Sequence, residues 1–289
     1  RTNMICVNKT IISPMQFPDG SLFLKYACEN LGENLSEVNQ ITWKYEGDQE
    51  LFTLMCLVGK IRGENPNADL TLNLPYIPHA RMDRVKNPED VLTLKYFATA
   101  INQLNFNRVD VFDPHSSVST ALIDRVRVNT PKDIINDVVG DIILNTGKKV
   151  SLFFPDEGAM KRYSDMVKSP YCYGVKNRDW KTGKILNIEI KGEENMGEVI
   201  LICDDICSYG GTFYHSAKKL KQMGAQQVYL YVSHCESSIE RGKFIQDDET
   251  EVSLLDSGLL KKVYTTDSIY RGNHQMIKKI NLFEIKGGN

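Results

Sequence analysis

The 289-residue sequence has no CxxC pair, no apolar run long enough to cross a bilayer, no short-period repeat, no low-complexity tract and no excess of either charge. Each absence removes a class. Without cysteines at ligand spacing, a structural zinc site is not expected. The seven cysteines (Cys6, Cys28, Cys56, Cys172, Cys203, Cys207 and Cys235) stand singly and in odd number. That pattern predicts reduced thiols and a cytoplasmic setting, with Cys203 in a strand core and Cys207 as a small loop residue. No membrane partner is expected from the apolar runs, and the N-terminus lacks the basic and apolar regions of a signal peptide. Met4 reads as a natural start, with Arg1, Thr2 and Asn3 a remnant ahead of it. Thirty-five Lys and Arg against 37 Asp and Glu leave a net charge of -2, whereas a general nucleic-acid binder carries a basic excess.

What is present is the balance of a globular protein with a sizeable core: 42% apolar and 25% charged residues. The length suits two domains. Strand-like apolar runs at 41–43, 71–77, 108–114, 150–156, 199–205 and 227–234 alternate with helical patterns. Among the helices are 48–61 and 88–104, the latter opened by Asn87-Pro88-Glu89-Asp90. Continuous apolar strands alternating with helices predict an α/β fold with parallel sheets. A boundary is expected near the 145-NTGKK-149 turn, giving domains 1–143 and 144–289. The polar stretch 176–198 reads as an exposed flap, folded as a hairpin.

Polar residues gather where the strands end: Arg81 and Asp83, Asp113 and His115, Asp156, then Asp204 and Asp205. In α/β sheets, ligands bind outside the carboxyl ends of the strands. After Asp204-Asp205 comes the small-residue loop Ser208-Tyr209-Gly210-Gly211-Thr212 and an amphipathic helix. Two adjacent acids need a metal, hydroxyl donors or water to stay ionised, and the loop with its helix start suits an anion. A sugar phosphate satisfies both halves. An acidic turn capping a helix satisfies the bare pattern equally well.

DDICSYGGT (204–212) resembles the ribose-phosphate loop of type I phosphoribosyltransferases and phosphoribosyl pyrophosphate (PRPP) synthetases. PYIPHARMDR (75–84), DVFDPHSS (110–117) and FFPDEGAMKR (153–162) are similar, in order, to three further segments of the PRPP synthetase family. The resemblance covers nearly the whole chain. It implies two phosphoribosyltransferase-like domains, each a mainly parallel sheet flanked by helices. It also implies a diphosphokinase reaction, in which the anomeric hydroxyl of a ribose attacks the β-phosphorus of ATP and AMP leaves. By resemblance, Arg81, Asp83, Phe17, Asp19 and His115 contact ATP, and His115 and Asp156 hold magnesium. Asp156, Glu157, Gly158 and Ala159 form the diphosphate loop. Asp204, Asp205, Ser208, Tyr209, Gly210, Gly211 and Thr212 take the ribose and its 5′-phosphate. Lys176 and Arg178 of the flap match the family's Lys-x-Arg on a catalytic loop, where cations stabilise charge on the transferred group.

The chain departs from the family pattern at four places. Met82 stands where glutamine is usual, Ser21 replaces a glutamate, Ser208 an acid and Tyr209 a small hydroxyl residue. A flat tyrosine in a phosphate loop suits an acceptor with a larger 5′ group. Two acceptors therefore stay open, ribose 5-phosphate and ADP-ribose, the latter giving ADP-ribose pyrophosphate in NAD salvage, as in relatives associated with phage. A phosphoribosyltransferase and a non-catalytic PRPP-sensing subunit are the readings of other classes. The resemblance implies a homo-oligomer, dimer or hexamer.

Overall fold

A computed structural model describes residues 5–8, 10–24, 35–178, 185–193, 196–246 and 249–282, without the side chains of 176–178 and 185–188. The chain divides into two compact units at Thr130/Pro131.

The first unit contains β1 (Ile5–Val7), β2 (Thr10–Ile12), β3 (Met15–Gln16), β4 (Leu22–Phe23), β5 (Val38–Trp43), β6 (Asp69–Leu74), β7 (Arg108–Phe112) and β8 (Val126–Asn129). Its helices are α1 (Gln49–Glu64), α2 (Thr93–Gln103) and α3 (Ser117–Leu122). The sheet runs β2-β1-β5-β6-β7-β8. Strands β5 to β8 are parallel, and β1 is antiparallel to both its neighbours. Five of the six β6 residues are buried, because helices cover both faces of a parallel sheet. Leu54, Leu57 and Ile61 of α1 pack at helical spacing against Leu70, Leu72 and Val109 of the sheet.

Helix α2 starts at Thr93, five residues after the expected Pro88. The Asp90 carboxylate accepts the N–H groups of Lys86 (2.8 Å) and Asn87 (2.9 Å). It thereby closes Asn87-Pro88-Glu89-Asp90 into a turn instead of a first helical turn.

The second unit contains α4 (Lys132–Thr146), β9 (Val150–Phe154), α5 (Glu157–Tyr163), β10 (Tyr171–Arg178), β11 (Ile185–Gly192), β12 (Val199–Cys207), α6 (Gly211–Gln222) and β13 (Gln227–Cys235). It continues through β14 (Phe244–Ile245), β15 (Glu251–Val252), β16 (Val263–Thr266) and β17 (Ile277–Ile280). The seven-stranded sheet runs β11-β10-β9-β12-β13-β16-β17 and is parallel except at β10-β11, the antiparallel hairpin expected of the flap.

Period-two alternation builds two cores on this sheet. Ile200 and Ile202 of β12, with Val228, Leu230 and Val232 of β13, face α6 residues such as Phe213 and Leu220. Val199, Leu201 and Cys203, with Tyr229 and Tyr231, face α4 and α5. Helix α4 supplies Ile135, Val138, Val139 and Ile142 to that second core. The division consequently falls at Thr130/Pro131 and not at 143/144: a helix belongs with the sheet that buries its apolar face. Among the described residues, no helix is long and apolar enough to cross a membrane.

Candidate functional site

In the first unit, the segment after β6 meets the segment after β7. The Ser116 hydroxyl donates to Asp83 Oδ2 at 2.7 Å, and Arg84 Nε donates to Asp83 Oδ1 at 3.0 Å. Ser116 Oγ also accepts the Val118 N–H at 3.1 Å and so caps α3. The hydrogen bonds from Arg84 and Ser116, with a smaller contribution from the nearby His115 imidazole, hold the Asp83 carboxyl below the usual carboxylate range. ARMDR and DPHSS thus share one polar junction. Within it, Arg81, Met82 and Arg84 are exposed and His115 half-buried. Arg84 is an exposed ion-pair partner of Asp83.

Phe17 and Asp19 lie in the tight turn between β3 and β4. Gly20 donates its N–H to Phe17 O at 2.8 Å with φ at 84°, and Phe17 N–H bonds Ser21 O at 2.9 Å. Ser21, the residue in the usual glutamate place, donates its hydroxyl (2.7 Å) and N–H (2.9 Å) to Asp19 Oδ1. These bonds lower the Asp19 pKa. The Phe17 ring packs on Phe23 at 4.8 Å and stays half exposed.

In the second unit, β12 runs on through both acids to Cys207, two residues beyond the expected end. Cys207 is therefore a buried strand residue beside Cys235 of β13, not a loop residue. The two aspartates have different fates. Asp205 is buried, and its Oδ2 accepts Arg162 Nη1 of α5 at 2.9 Å while Oδ1 takes the Ile206 N–H. Asp204 accepts only the N–H of Asp205 among the described residues, at 2.9 Å. Burial first, then the charges of Asp205 and Asp156, push the Asp204 carboxyl well above the usual range. Strand β12 lies beside β9 in parallel register, and Asp156 follows β9 by two residues. Asp156 caps α5 by accepting the Ala159 N–H at 3.1 Å; Ala159 is buried, and Glu157 and Gly158 are exposed in the same turn.

The loop after β12 is shaped by close approaches. Gly210 adopts φ 92°, which an L side chain rarely takes, and a Cβ there would meet Leu254 at 2.8 Å. A Cβ on Gly242 would lie 2.0 Å from Tyr209 O. Helix α6 starts at Gly211-Thr212 with no side-chain cap, which leaves N–H groups of its first turn for another acceptor. Tyr209 is 56% exposed. Ser208 Oγ donates to Glu236 Oε2 at 2.8 Å, and Ser238 Oγ reaches the same oxygen at 3.1 Å. A carboxylate thus stands at the serine that replaces the family's acid, contributed by the end of β13. Neither Glu236 nor Arg162 was legible as a site residue. Glu236 lies 28 residues from its partner in sequence, and Arg162 ends the FFPDEGAMKR segment with no role of its own read there.

Lys176 and Arg178 occupy β10 of the hairpin, and their side chains lie outside the described residues. Among the described residues, no three His, Cys, Asp or Glu side chains form an all-protein metal cage. Magnesium does not need one: it keeps several waters and takes one or two carboxylates with phosphate oxygens. Asp204, whose pKa the Asp156 charge helps to raise, and Asp156 itself are carboxylates of the kind that donate to such an ion.

No family model matches the chain. A curated protein of Sulfurisphaera tokodaii is 25% identical over 260 residues, covering 88% of this chain and 82% of that protein. One from Sulfolobus acidocaldarius is 23% identical over 274 residues, covering 93% and 88%. These relatives are ribose-phosphate pyrophosphokinases. The resemblance read from the motifs is borne out over most of the chain. Among solved structures, the phosphoribosylpyrophosphate synthetase of Mycobacterium smegmatis superposes with a TM-score of 0.68 at 15% identity, over 94% of this chain and 86% of that one. The two-unit α/β architecture is that of the pyrophosphokinase fold.

Proposed function

We propose that the chain is an ATP- and magnesium-dependent diphosphotransferase that moves the β,γ-diphosphoryl group of ATP onto the C1 hydroxyl of ribose 5-phosphate, releasing AMP. The observation that carries this reading is Asp204, a carboxylate near the carboxyl end of β12 with a single backbone donor among the described residues, a raised pKa and the glycine loop following once the strand has ended three residues later. Such a group needs donors, and sugar hydroxyls supply them. The uncapped start of α6 and the 208–212 loop take the 5′-phosphate. The turn from Asp156 to Ala159 holds the diphosphate, and Arg81 and the Asp83–Ser116–His115 junction belong to the ATP side. His115 in the first unit and Asp156 in the second would each, taken separately, be a magnesium-holding residue, and the ion neutralises phosphate charge when bound. Lys176 and Arg178 carry the positive charge that the departing and transferred oxygens require. The same reading places the enzyme in the cytoplasm as a homo-oligomer.

A second acceptor is favoured by Tyr209 and Glu236. An exposed ring in the loop offers a stacking face. A carboxylate bonded to Ser208 disfavours a dianionic phosphate monoester more than the singly charged phosphates of ADP-ribose. Incubation with ATP, magnesium and each acceptor in turn, with AMP as the readout, tests both. AMP with ribose 5-phosphate is the expected outcome. AMP with ADP-ribose alone moves the substrate to the second acceptor, and no AMP with either removes the kinase reading.

A further inference from the structure

We propose a second anion-binding site, a cleft at the amino-terminal ends of β6, β7 and β8 that takes a phosphate or carboxylate ligand. The cleft has a volume of about 430 Å³ and is lined by Arg62, Pro66, Asn67, Asn105, Asn107 and Arg125 among others, with no acidic residue in its wall. All of it lies within the first unit. The Asp83–Ser116 junction follows the opposite ends of β6 and β7, a strand length of roughly 17 Å away.

Among the described residues the two arginines are held but meet no carboxylate. Arg62 donates from Nη1 to Ala68 O (3.3 Å) and from Nη2 to Asn105 O (2.8 Å), and Arg125 donates from Nε to Phe106 O (2.6 Å). These partners are backbone carbonyls, which fix the guanidinium groups without cancelling their charge. Arg84, Arg108, Arg127 and Arg162, by contrast, each meet a carboxylate within 3.0 Å. Among the described residues Arg62 Nε is buried with no hydrogen-bond partner, and a donor left that way costs stability unless a ligand satisfies it. Asn107 Oδ1 accepts the Leu70 N–H at 3.0 Å, so its amide presents N–H groups as the remaining function. Asn105 and Arg125 both hold a left-handed backbone, each with φ 53°, a conformation that non-glycine residues keep only where their surroundings impose it. Two fixed guanidinium groups, an unsatisfied donor and side-chain amides match the oxygens of a planar carboxylate or of a phosphate.

Calorimetric titration of the full chain with inorganic phosphate and, separately, with citrate tests the assignment. The background is Thr212→Ala, chosen to weaken phosphate binding at the α6 loop. Binding to that protein is expected to persist and to weaken about tenfold or more with Arg125→Ala. Asn67→Asp, which adds a negative charge at an exposed position, is expected to weaken it comparably. Response to phosphate alone identifies phosphate esters as the ligand class, response to citrate alone identifies carboxylates, and either supports the site when both variants weaken it. Unchanged binding in both variants, or no binding of either probe in the Thr212→Ala background, overturns it. Asn67→Asp decides alone should Arg125→Ala fail to fold.

Discussion

Asp204 and Asp205 are neighbours in sequence with different partners. Successive strand residues face opposite sides of a sheet, and α5 offers Arg162 to only one of them. Asp205 is thereby ion-paired, whereas among the described residues Asp204 accepts only a backbone N–H. Because the folded pKa of Asp204 is raised, the native state binds its proton more tightly than the unfolded chain does. Its ionisation therefore costs stability as pH rises from ~4 through the raised value, and the cost is absent below that window. Asp204→Asn should raise the melting temperature without magnesium at pH 8, by a stability gain of about 1 kcal/mol. The gain should vanish on acidification, while acceptor KM rises. A variant less stable than wild type at pH 8 would contradict this account. At Glu236, replacement by glutamine removes the charge facing the loop. The ratio of kcat/KM for ribose 5-phosphate over ADP-ribose should then rise roughly tenfold. An unchanged ratio would free Glu236 from any role in acceptor choice.

Elements place these groups by their ends. Parallel strands β9 and β12 deliver Asp156 and Asp204 to the same edge of one sheet, and β6 and β7 deliver Asp83 and Ser116 to one edge of the other. The β10–β11 hairpin carries Lys176 and Arg178. If their charge acts mainly in the transition state, Lys176→Ala should lower kcat by about 10² to 10³. The dissociation constant for ATP, measured by equilibrium titration, should stay within about threefold. Equal losses in both would make Lys176 a ground-state binder. The helix α2 boundary shows how locally a sequence signal can be misread. Proline and acids open helices, but here Asp90 satisfies two backbone donors behind it and the helix waits for Thr93.

At the scale of the whole molecule, each unit builds its own apolar cores. The 131–289 segment should therefore unfold cooperatively when expressed alone, as read by circular dichroism during thermal melts. A piece beginning at residue 144 should not. It lacks Ile135, Val138, Val139 and Ile142, all nearly fully buried, and each such loss costs about 2–4 kcal/mol. Four together match the usual stability of a domain, ~5–15 kcal/mol. Cooperative melting of the shorter piece would return the boundary to the 145–149 turn.

The sequence by itself determined the α/β class, the strands from 71, 108, 150, 199 and 227, the hairpin form of the flap and the resemblance to pyrophosphokinases. Those features rest on local periodicity and on short contiguous motifs, which a linear reading captures. Only the tertiary structure decided which sheet α4 joins, which of the paired acids meets an arginine, that Glu236 stands at Ser208, and that two arginines share a cleft with no carboxylate among the described residues. Each of these depends on side chains from separate elements meeting in space, such as Arg162 with Asp205 across 43 positions and Ser116 with Asp83 across 33. Spacing along the chain carries no record of such meetings, because packing and charge pairing are settled only when the layers close.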